Sequence, residues 1–272
     1  TLRSIIHPFL LRRKKSDPDI LPDLPDKIEK KEYTHLSEEQ VTLYQAVVDE
    51  SVKLLGEAEG IRKKGLILAT ITKLKQICNH PAHFLKDGKF TKNRSGKLTR
   101  LTEMLDELFE EAEAALIFTQ YVEMGRMLKS FIQQTFHREA LFLHGSVSPK
   151  ARMRMVDKFQ EGDAKNPIFI LSLKAGGTGL NLTRASHVFH FDRWWNPAVE
   201  AQATDRAYRI GQVKNVQVYS FIASRTYEEK IDEMLEDKRD IADRIIRSGE
   251  KGLTELSVEE IVDLISLKEE RA

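Results

Sequence analysis

The chain reads as an α/β protein built on a doubly wound parallel sheet, flanked by a helical insertion and a charged C-terminal helical segment. Three observations predict this. Short, continuously apolar runs alternate with amphipathic helical stretches between about Ser95 and Ala223, the pattern of strands buried on both faces by crossover helices. The region before it, 1–92, is mainly helical in periodicity and poor in strand signals. The region after it, 224–272, is helical and heavily charged, with acids crowding 227–237. The expected divisions are therefore 1–92, 93–223 and 224–272.

Taken in order, Pro18, Pro22 and Pro25 break a polar stretch that reads as an extended linker. Ser37 and Gln40 have capping-box spacing ahead of a helix carrying Leu43, Tyr44, Val47, Val48, Leu54 and Leu55. A second helix through Leu66, Ile67, Ile71, Leu74 and Ile77 must stop at Asn79-His80-Pro81, because proline cannot continue it. Strands are expected at Ala115–Thr119, Ala140–Leu143, Ile168–Leu171, His187–Phe191 and Val216–Ile222. Helices begin near Gly96, near Tyr121, at Ser148-Pro149 and at Asn196-Pro197; the last two pair an N-cap residue with proline at the first helical position. Two more capping boxes are predicted at Thr226–Glu229 and Ser257–Glu260. Right-handed crossovers leave few topologies for such a chain.

Bulk properties set the outer limits. The 272 residues suffice for a substantial core. No apolar run approaches the roughly 20 residues of a membrane span. A single cysteine, Cys78, excludes an internal disulfide. Lys+Arg 43 against Asp+Glu 42 gives no net-charge argument for or against a polyanion, although Arg12–Lys15 and Arg62–Lys64 are local basic runs. The first run is either a DNA patch or a solvated connector. Thr1-Leu2-Arg3 carries neither a starting Met nor a signal-peptide core, so the chain is expected to begin inside a longer gene product.

In an open parallel sheet, ligands bind beyond the carboxyl ends of the strands. The corresponding loops hold Thr119-Gln120-Tyr121, His144-Gly145-Ser146, Ser172 through Asn181, and Asp192 through Pro197. The loop Ser172-Leu-Lys-Ala-Gly-Gly-Thr-Gly179 has glycines that let backbone N–H groups approach a phosphate; a plain strand-to-helix turn is the alternative. It is neither a P-loop nor a dinucleotide fingerprint. On a continuous helix Gln202, Arg206 and Arg209 would share one face with Asp205 alongside. Two guanidiniums there would form an arginine clamp for phosphoryl oxygens, whereas a solvated charged face is the bland alternative. Trp194 and Trp195 cannot both enter one core from a regular element, so at least one packs against a loop or a partner. Cys78, His80 and His83 are too few for a structural zinc site and read as helix packing.

Gln202-Ala-Thr-Asp-Arg-Ala-Tyr-Arg-Ile-Gly-Gln212 resembles motif VI of the Swi/Snf-type DNA translocases of helicase superfamily two. Asp192-Arg-Trp-Trp-Asn-Pro197 matches the segment preceding it in that family. Leu173–Leu182 is similar to motif V, Leu116–Tyr121 to motif IV, and Phe142–Ser146 to the adjoining motif. Ser95-Gly-Lys-Leu98 resembles the start of the second lobe, Ile6–Asp17 the end of the first, and Gln76-Ile-Cys-Asn-His-Pro81 a helical insertion between them.

The resemblance implies a RecA-like C-terminal lobe with a C-terminal brace, working with an N-terminal RecA-like lobe of the same polypeptide on ATP with Mg²⁺ and on double-stranded DNA. DNA-bound proteins are its expected remodelling targets, and its place is inside the cell, at the nucleoid or in the nucleus. By the same resemblance Arg206, Arg209 and Gln202 act at the γ-phosphate, and Gly177, Gly179, Asn181 and Asp205 line the nucleotide. Thr119, Gln120, His144, Gly145, Ser172 and Lys174 face DNA phosphates, while Asp192, Trp194 and Trp195 couple the two sites. No metal ligand is expected in this chain. A Walker A lysine and an Asp-Glu pair are missing: Leu98 stands where Ser or Thr should follow Gly96-Lys97, and Asp106-Glu107 lies mid-helix on a predicted solvated face. The chain alone is thus expected not to turn over ATP. A strand-separating helicase lobe and a non-catalytic nucleic-acid-binding module are the rival readings. A dinucleotide-binding domain fails for want of its fingerprint.

Overall fold

A computed structural model describes residues 24–162, 167–172, 179–194, 196–236 and 249–268. The basic run Arg12–Lys15, the segment Ile6–Asp17, Pro18, Pro22, and the functional candidates Lys174, Gly177 and Trp195 lie outside the described residues.

Six strands form one sheet: β1 (Lys27–Thr34), β2 (Ala115–Thr119), β3 (Ala140–Leu143), β4 (Ile168–Ser172), β5 (His187–His190) and β6 (Val216–Ala223), in the order β1-β6-β5-β2-β4-β3. Every pairing is parallel. Five strands fall where the apolar runs predict them. The sixth, β1, corrects the reading of 1–92 as strand-poor: Lys27–Thr34 pairs along its whole length with Val216–Ala223. Its sequence, KIEKKEYT, hides the strand. An edge strand with both faces largely exposed needs no apolar run, and its lysines discourage further edge-to-edge pairing.

The sheet is covered on both faces by α4 (Gly96–Glu110) and α5 (Val122–Phe136) on one side, and by α6 (Pro149–Gln160) and α7 (Pro197–Thr204) on the other; α1 (Glu38–Gly56), α2 (Gly60–Asn79) and α3 (Pro81–Leu85) precede them. Strand periodicity partitions the core. Ala115 and Ile117 pack with Leu101, Leu105, Leu128 and Ile132, whereas Leu116 and Phe118 point the other way, to Phe159, Phe169 and Ala203. Asp106 and Glu107 are exposed on α4, as expected.

Local signals account for the helix ends. Ser37 and Gln40 form the predicted capping box on α1, and the Gln40 amide also donates to the carbonyls of Ile77 (2.6 Å) and Cys78 (3.2 Å), fastening α1 to the end of α2. Ser148 and Asn196 cap α6 and α7 ahead of proline. Ser257 and Glu260 form the box on α9 (Val258–Ile265). At α8 (Tyr227–Glu236) the predicted reciprocal box is replaced: the Thr226 hydroxyl accepts from Glu228 N–H, and the Glu229 carboxylate accepts from Arg225 N–H. Gly96 is required by close approach, because a Cβ there would lie 1.9 Å from the carbonyl oxygen of His35.

The helical insertion and the C-terminal helices, expected as separate regions, share one core. Tyr44, Val48, Ile71 and Leu74 pack with Tyr227, Ile231, Ile261 and Leu264. Among the described residues no helix is long and apolar enough to cross a membrane.

Candidate functional site

The carboxyl ends of β2, β3, β4 and β5 bring most of the described candidates to one edge. Thr119 is the register partner of Ser172, and Leu143, just before His144, is the partner of Leu171. Thr119, Gln120 and Asp192 are joined directly. The buried Asp192 carboxylate accepts from the Thr119 hydroxyl (2.5 Å), the Gln120 backbone N–H (2.7 Å) and the Asn79 side-chain amide (3.1 Å). Burial outweighs these bonds and raises the Asp192 pKa above the ordinary aspartate value. The Gln120 amide donates to Arg193 O (2.5 Å) and its carbonyl accepts from Lys75 Nζ (3.3 Å). His144 is half-buried, its Nδ1 2.8 Å from the Ser146 hydroxyl, and Gly145 is exposed at the same edge.

This polar network continues through residues that sequence reasoning did not assign. Asn79 O accepts from the Ser95 hydroxyl (2.7 Å), and Lys97 Nζ pairs with Glu228 at 2.8 Å with both side chains buried. Glu228 also accepts from Ala223 N–H (2.8 Å). The lysine of Ser95-Gly-Lys-Leu98 therefore serves an internal ion pair and does not cradle a phosphate. Beside it, Arg193 donates to Glu200 (3.0 Å) and to Asp232 (2.7 Å), and Asp232 also receives Lys31 (2.7 Å). One arginine at the end of β5 thus ties α7, α8 and β1 together. Asn79, Lys97 and Arg193 lie inside strings that the resemblance had already singled out, with no role assigned to them; Glu228 had none either, although it falls within the predicted Thr226–Glu229 box. Trp194 is half-buried, its backbone N–H donating to the Glu200 carboxylate (2.8 Å), and it lines a small apolar hollow with Tyr227, Ile231 and Leu235.

The Gln202–Arg209 segment departs from expectation. Helix α7 ends at Thr204, so Gln202, Arg206 and Arg209 do not share a helical face. The carbonyl of Arg206, which a continuing helix would offer to residue 210, instead accepts from Leu182 N–H (2.9 Å). The carbonyl of Ala207 accepts from the Gln212 side chain (3.1 Å) and from Arg209 N–H (3.1 Å). Buried Gln212 also receives the N–H groups of Val213 and Lys214, both at 2.9 Å, and so holds the whole turn. In consequence Gln202, Asp205 and Arg209 are exposed and Arg206 turns inward, 9% exposed. The Arg206 guanidinium lies 5.7 Å from the Phe118 ring centroid, and His190 stacks on the same ring at 5.4 Å. Arg206 Nη1 is buried with no hydrogen-bond partner. Burial first, and then the field of Arg152, pull the Arg206 pKa down to about 10. Gly179 (φ +106°) and Asn181 are exposed in the loop that leads to Leu182.

The Cys78, His80 and His83 group is packing. Cys78 lies in the helical core, His80 Nδ1 accepts from Ala82 N–H (3.0 Å), and His83 meets Tyr121 edge-on at 4.8 Å.

Sheet order and edge placement describe a parallel α/β lobe with a ligand-binding edge, and comparison identifies it as a helicase-type C-terminal lobe. Residues 96–211 match the helicase conserved C-terminal domain, and residues 1–83 match the SNF2-related domain. The C-terminal domain of the Sulfolobus solfataricus SWI2/SNF2 ATPase is 42% identical, with a TM-score of 0.77 over 89% of this chain and 100% of that one. The chain therefore belongs to the SWI2/SNF2 family of helicase-type ATPases. The Sulfolobus solfataricus SWI2/SNF2 ATPase core in complex with dsDNA is 45% identical, with a TM-score of 0.81 over 98% of this chain and 56% of that one. YwqA of Bacillus subtilis (strain 168), whose name places it among ATP-dependent helicases/translocases, is 49% identical over 268 residues. The alignment covers 98% of this chain but 29% of YwqA, so the chain spans under a third of that relative's length.

Proposed function

We propose that this chain is the C-terminal motor lobe of an ATP-dependent double-stranded DNA translocase, in which Arg206 and Arg209 reach the γ-phosphate of ATP held mainly by an N-terminal lobe. The observation that carries this reading is Arg206: a buried guanidinium at the ligand-binding edge, without a bonded acceptor. A preorganised cation in a low-dielectric site stabilises the charge that develops during phosphoryl transfer, with no reorganisation at the moment of reaction. Exposed Arg209, on the same turn, would meet the nucleotide as the lobes close, and Gln202, Gly177, Gly179, Asn181 and Asp205 would line it. Among the described residues no three His, Cys, Asp or Glu side chains converge as a metal site, and Mg²⁺ is assigned to the nucleotide and the other lobe.

Thr119, Gln120, His144, Gly145, Ser172 and Lys174 would contact phosphates of the duplex, positioning it without reading sequence. Asp192, bonded to Thr119, Gln120 and Asn79, would report DNA contact to the insertion, with Trp194 and Trp195 alongside. DNA-bound proteins are the proposed targets, and the isolated lobe is inactive as an ATPase. The test is DNA-stimulated ATPase activity of the full-length protein, wild type against Arg206→Ala and Arg209→Ala, with DNA affinity measured in parallel. Turnover should fall by about 10³-fold or more with DNA binding retained. Unchanged turnover would sink the assignment.

A further inference from the structure

Helix α7 carries the arginine-bearing turn, yet apolar packing does little to fix it. All eight of its residues are described, and the buried ones are Glu200, Ala203 and Thr204, so a single alanine is its buried apolar anchor. Toward β1 it borders a groove of about 380 Å³, lined across from it by Lys27, Lys31, Val218 and Ser220, instead of a packed neighbour. Polar contacts therefore decide where α7 sits. Near its C-terminal end Thr204 meets His190 Nε2 at 3.0 Å. In its first turn Glu200 accepts from Trp194 N–H (2.8 Å) and from Arg193 Nε (3.0 Å). The arginine-bearing turn grows directly out of this helix: Arg206 N–H donates to Ala203 O (3.2 Å) and Tyr208 N–H to Thr204 O (3.1 Å).

Arg193 also reaches past α7. Its Nη1 donates to Asp232 of α8 (2.7 Å), and the same carboxylate receives Lys31 Nζ (2.7 Å) and the Tyr33 hydroxyl (3.2 Å) from β1. Asp232 is buried, and the adjoining Ile231 packs in the core shared with the insertion. One planar fork, charged at every working pH, thus bridges two carboxylates on separate helices, a span that the point charge of a lysine does not reproduce. We propose that Arg193 is a positioning residue: by gripping Glu200 and Asp232 at once it sets α7, and with it Arg206 and Arg209, against the frame of α8 and β1. The catalytic consequence rests on the motor reading; the mechanical one does not. A displacement of about 1 Å at reacting groups can cost about 10²-fold in rate, so loss of one arm of the fork is enough to be felt.

The experiment has two arms. In the full-length protein, DNA-stimulated ATPase activity and DNA affinity are compared for wild type, Arg193→Lys and Asp232→Asn, each also combined with Arg206→Ala, at a temperature well below every unfolding midpoint. Arg193→Lys should lower kcat by about tenfold or more, and Asp232→Asn by less, with DNA affinity unchanged. In the Arg206→Ala background neither should lower kcat much further, because both act through that turn. A merely structural arginine would lower it by the same factor in both backgrounds. In the 272-residue chain, native-state amide exchange should quicken by about tenfold or more in Arg193→Lys across 201–212, leaving β2 and β4 at wild-type rates.

An unchanged kcat in Arg193→Lys, or a loss that multiplies undiminished with Arg206→Ala, overturns the proposal. Exchange that is unchanged, or that quickens evenly over the whole sheet, overturns it as well. A wild type without ATPase activity whose Arg193→Lys chain still loosens 201–212 alone would keep the positioning role and defeat the motor reading.

Discussion

Acidification from pH 7.5 to 5 should strongly destabilise this protein, because buried histidines, His80, His83 and His190 foremost, are folded in the neutral state. His80 and His83 are lowered to about 4 and His190 to about 3, in each case chiefly by burial. The bonding explains why protonation is incompatible with the fold. His80 Nδ1 accepts from Ala82 N–H while Nε2 faces the carbonyl of Thr91 at 2.9 Å, which fixes one neutral tautomer. His190 Nε2 meets the Thr204 hydroxyl at 3.0 Å, and its Nδ1 is buried without a partner. Neither ring nitrogen of His83 has a hydrogen-bond partner, and the nearest carboxylate, Glu123 at 3.9 Å, is engaged by Lys86.

Below about 6.5 the unfolded chain binds protons that the folded chain refuses, so this stability is complete above that pH and drains away as pH falls toward 4. Each histidine loses about 1.4 kcal/mol per pH unit in that window, or about 2 kcal/mol by pH 5, and the three together about 6 kcal/mol. That is comparable with the whole stability of an ordinary domain, about 5–15 kcal/mol. Asp192 and Glu200, raised by burial, act with the opposite sign: their share is present at low pH and lost as pH rises through their folded values, which softens the decline at its acid end. Urea unfolding at half-unit steps of pH measures the slope. His83→Leu should flatten it by about a third and be more stable than wild type at pH 5.5. Stability that stays level from pH 7.5 to 5, or a slope untouched by His83→Leu, would refute the reasoning.

Other perturbations test the network around the strand ends. Lys97→Met leaves the Glu228 carboxylate buried with a single backbone donor and should cost about 3–5 kcal/mol in urea unfolding, whereas Lys97→Met/Glu228→Leu should recover most of it; additive losses would show that the pair is not coupled. Asp192→Asn turns one acceptor into a donor facing Thr119, Gln120 and Asn79 and should cost about 2–4 kcal/mol, with DNA stimulation of ATPase activity in the full-length protein lowered more than its basal rate. Gly96→Ala drives a methyl into His35 O and should lower the free energy of unfolding by about 2 kcal/mol or more; an unchanged value would mean that the two segments separate readily.

The sequence displayed the interior of this fold and concealed its rim. Five strands announce themselves because both faces are buried, which demands runs such as Ala115–Thr119. β1 does not, since its ladder bonds are made by backbone and its side chains face solvent. The candidate edge was legible for the same reason that parallel sheets put ligands at strand ends. What was not legible is where a helix stops. Gln202 to Arg209 keeps a helical rhythm in sequence, yet Leu182 N–H and the Gln212 side chain claim the carbonyls that would have continued it, and those claimants lie 20 or more residues upstream or just past the segment. Pairings such as Lys97 with Glu228 are likewise invisible before topology brings residues 131 positions apart into contact.

The pairing of β1 with β6 bears on how this lobe is made. Thr34 finds its partner at Ala223, so a ribosome that has released Lys27–Thr34 must synthesise nearly the whole remaining sheet before that segment can dock. Until then the insertion helices lack Tyr227, Ile231 and Leu264, and they too wait with apolar faces open. A fragment cut to the conserved helicase match, 96–211, would discard both strands of this pair and leave β5 as a bare edge. Expression of the lobe should therefore start no later than Asp26, whose carbonyl receives the first ladder bond from Val216. Shorter versions are expected in the insoluble fraction.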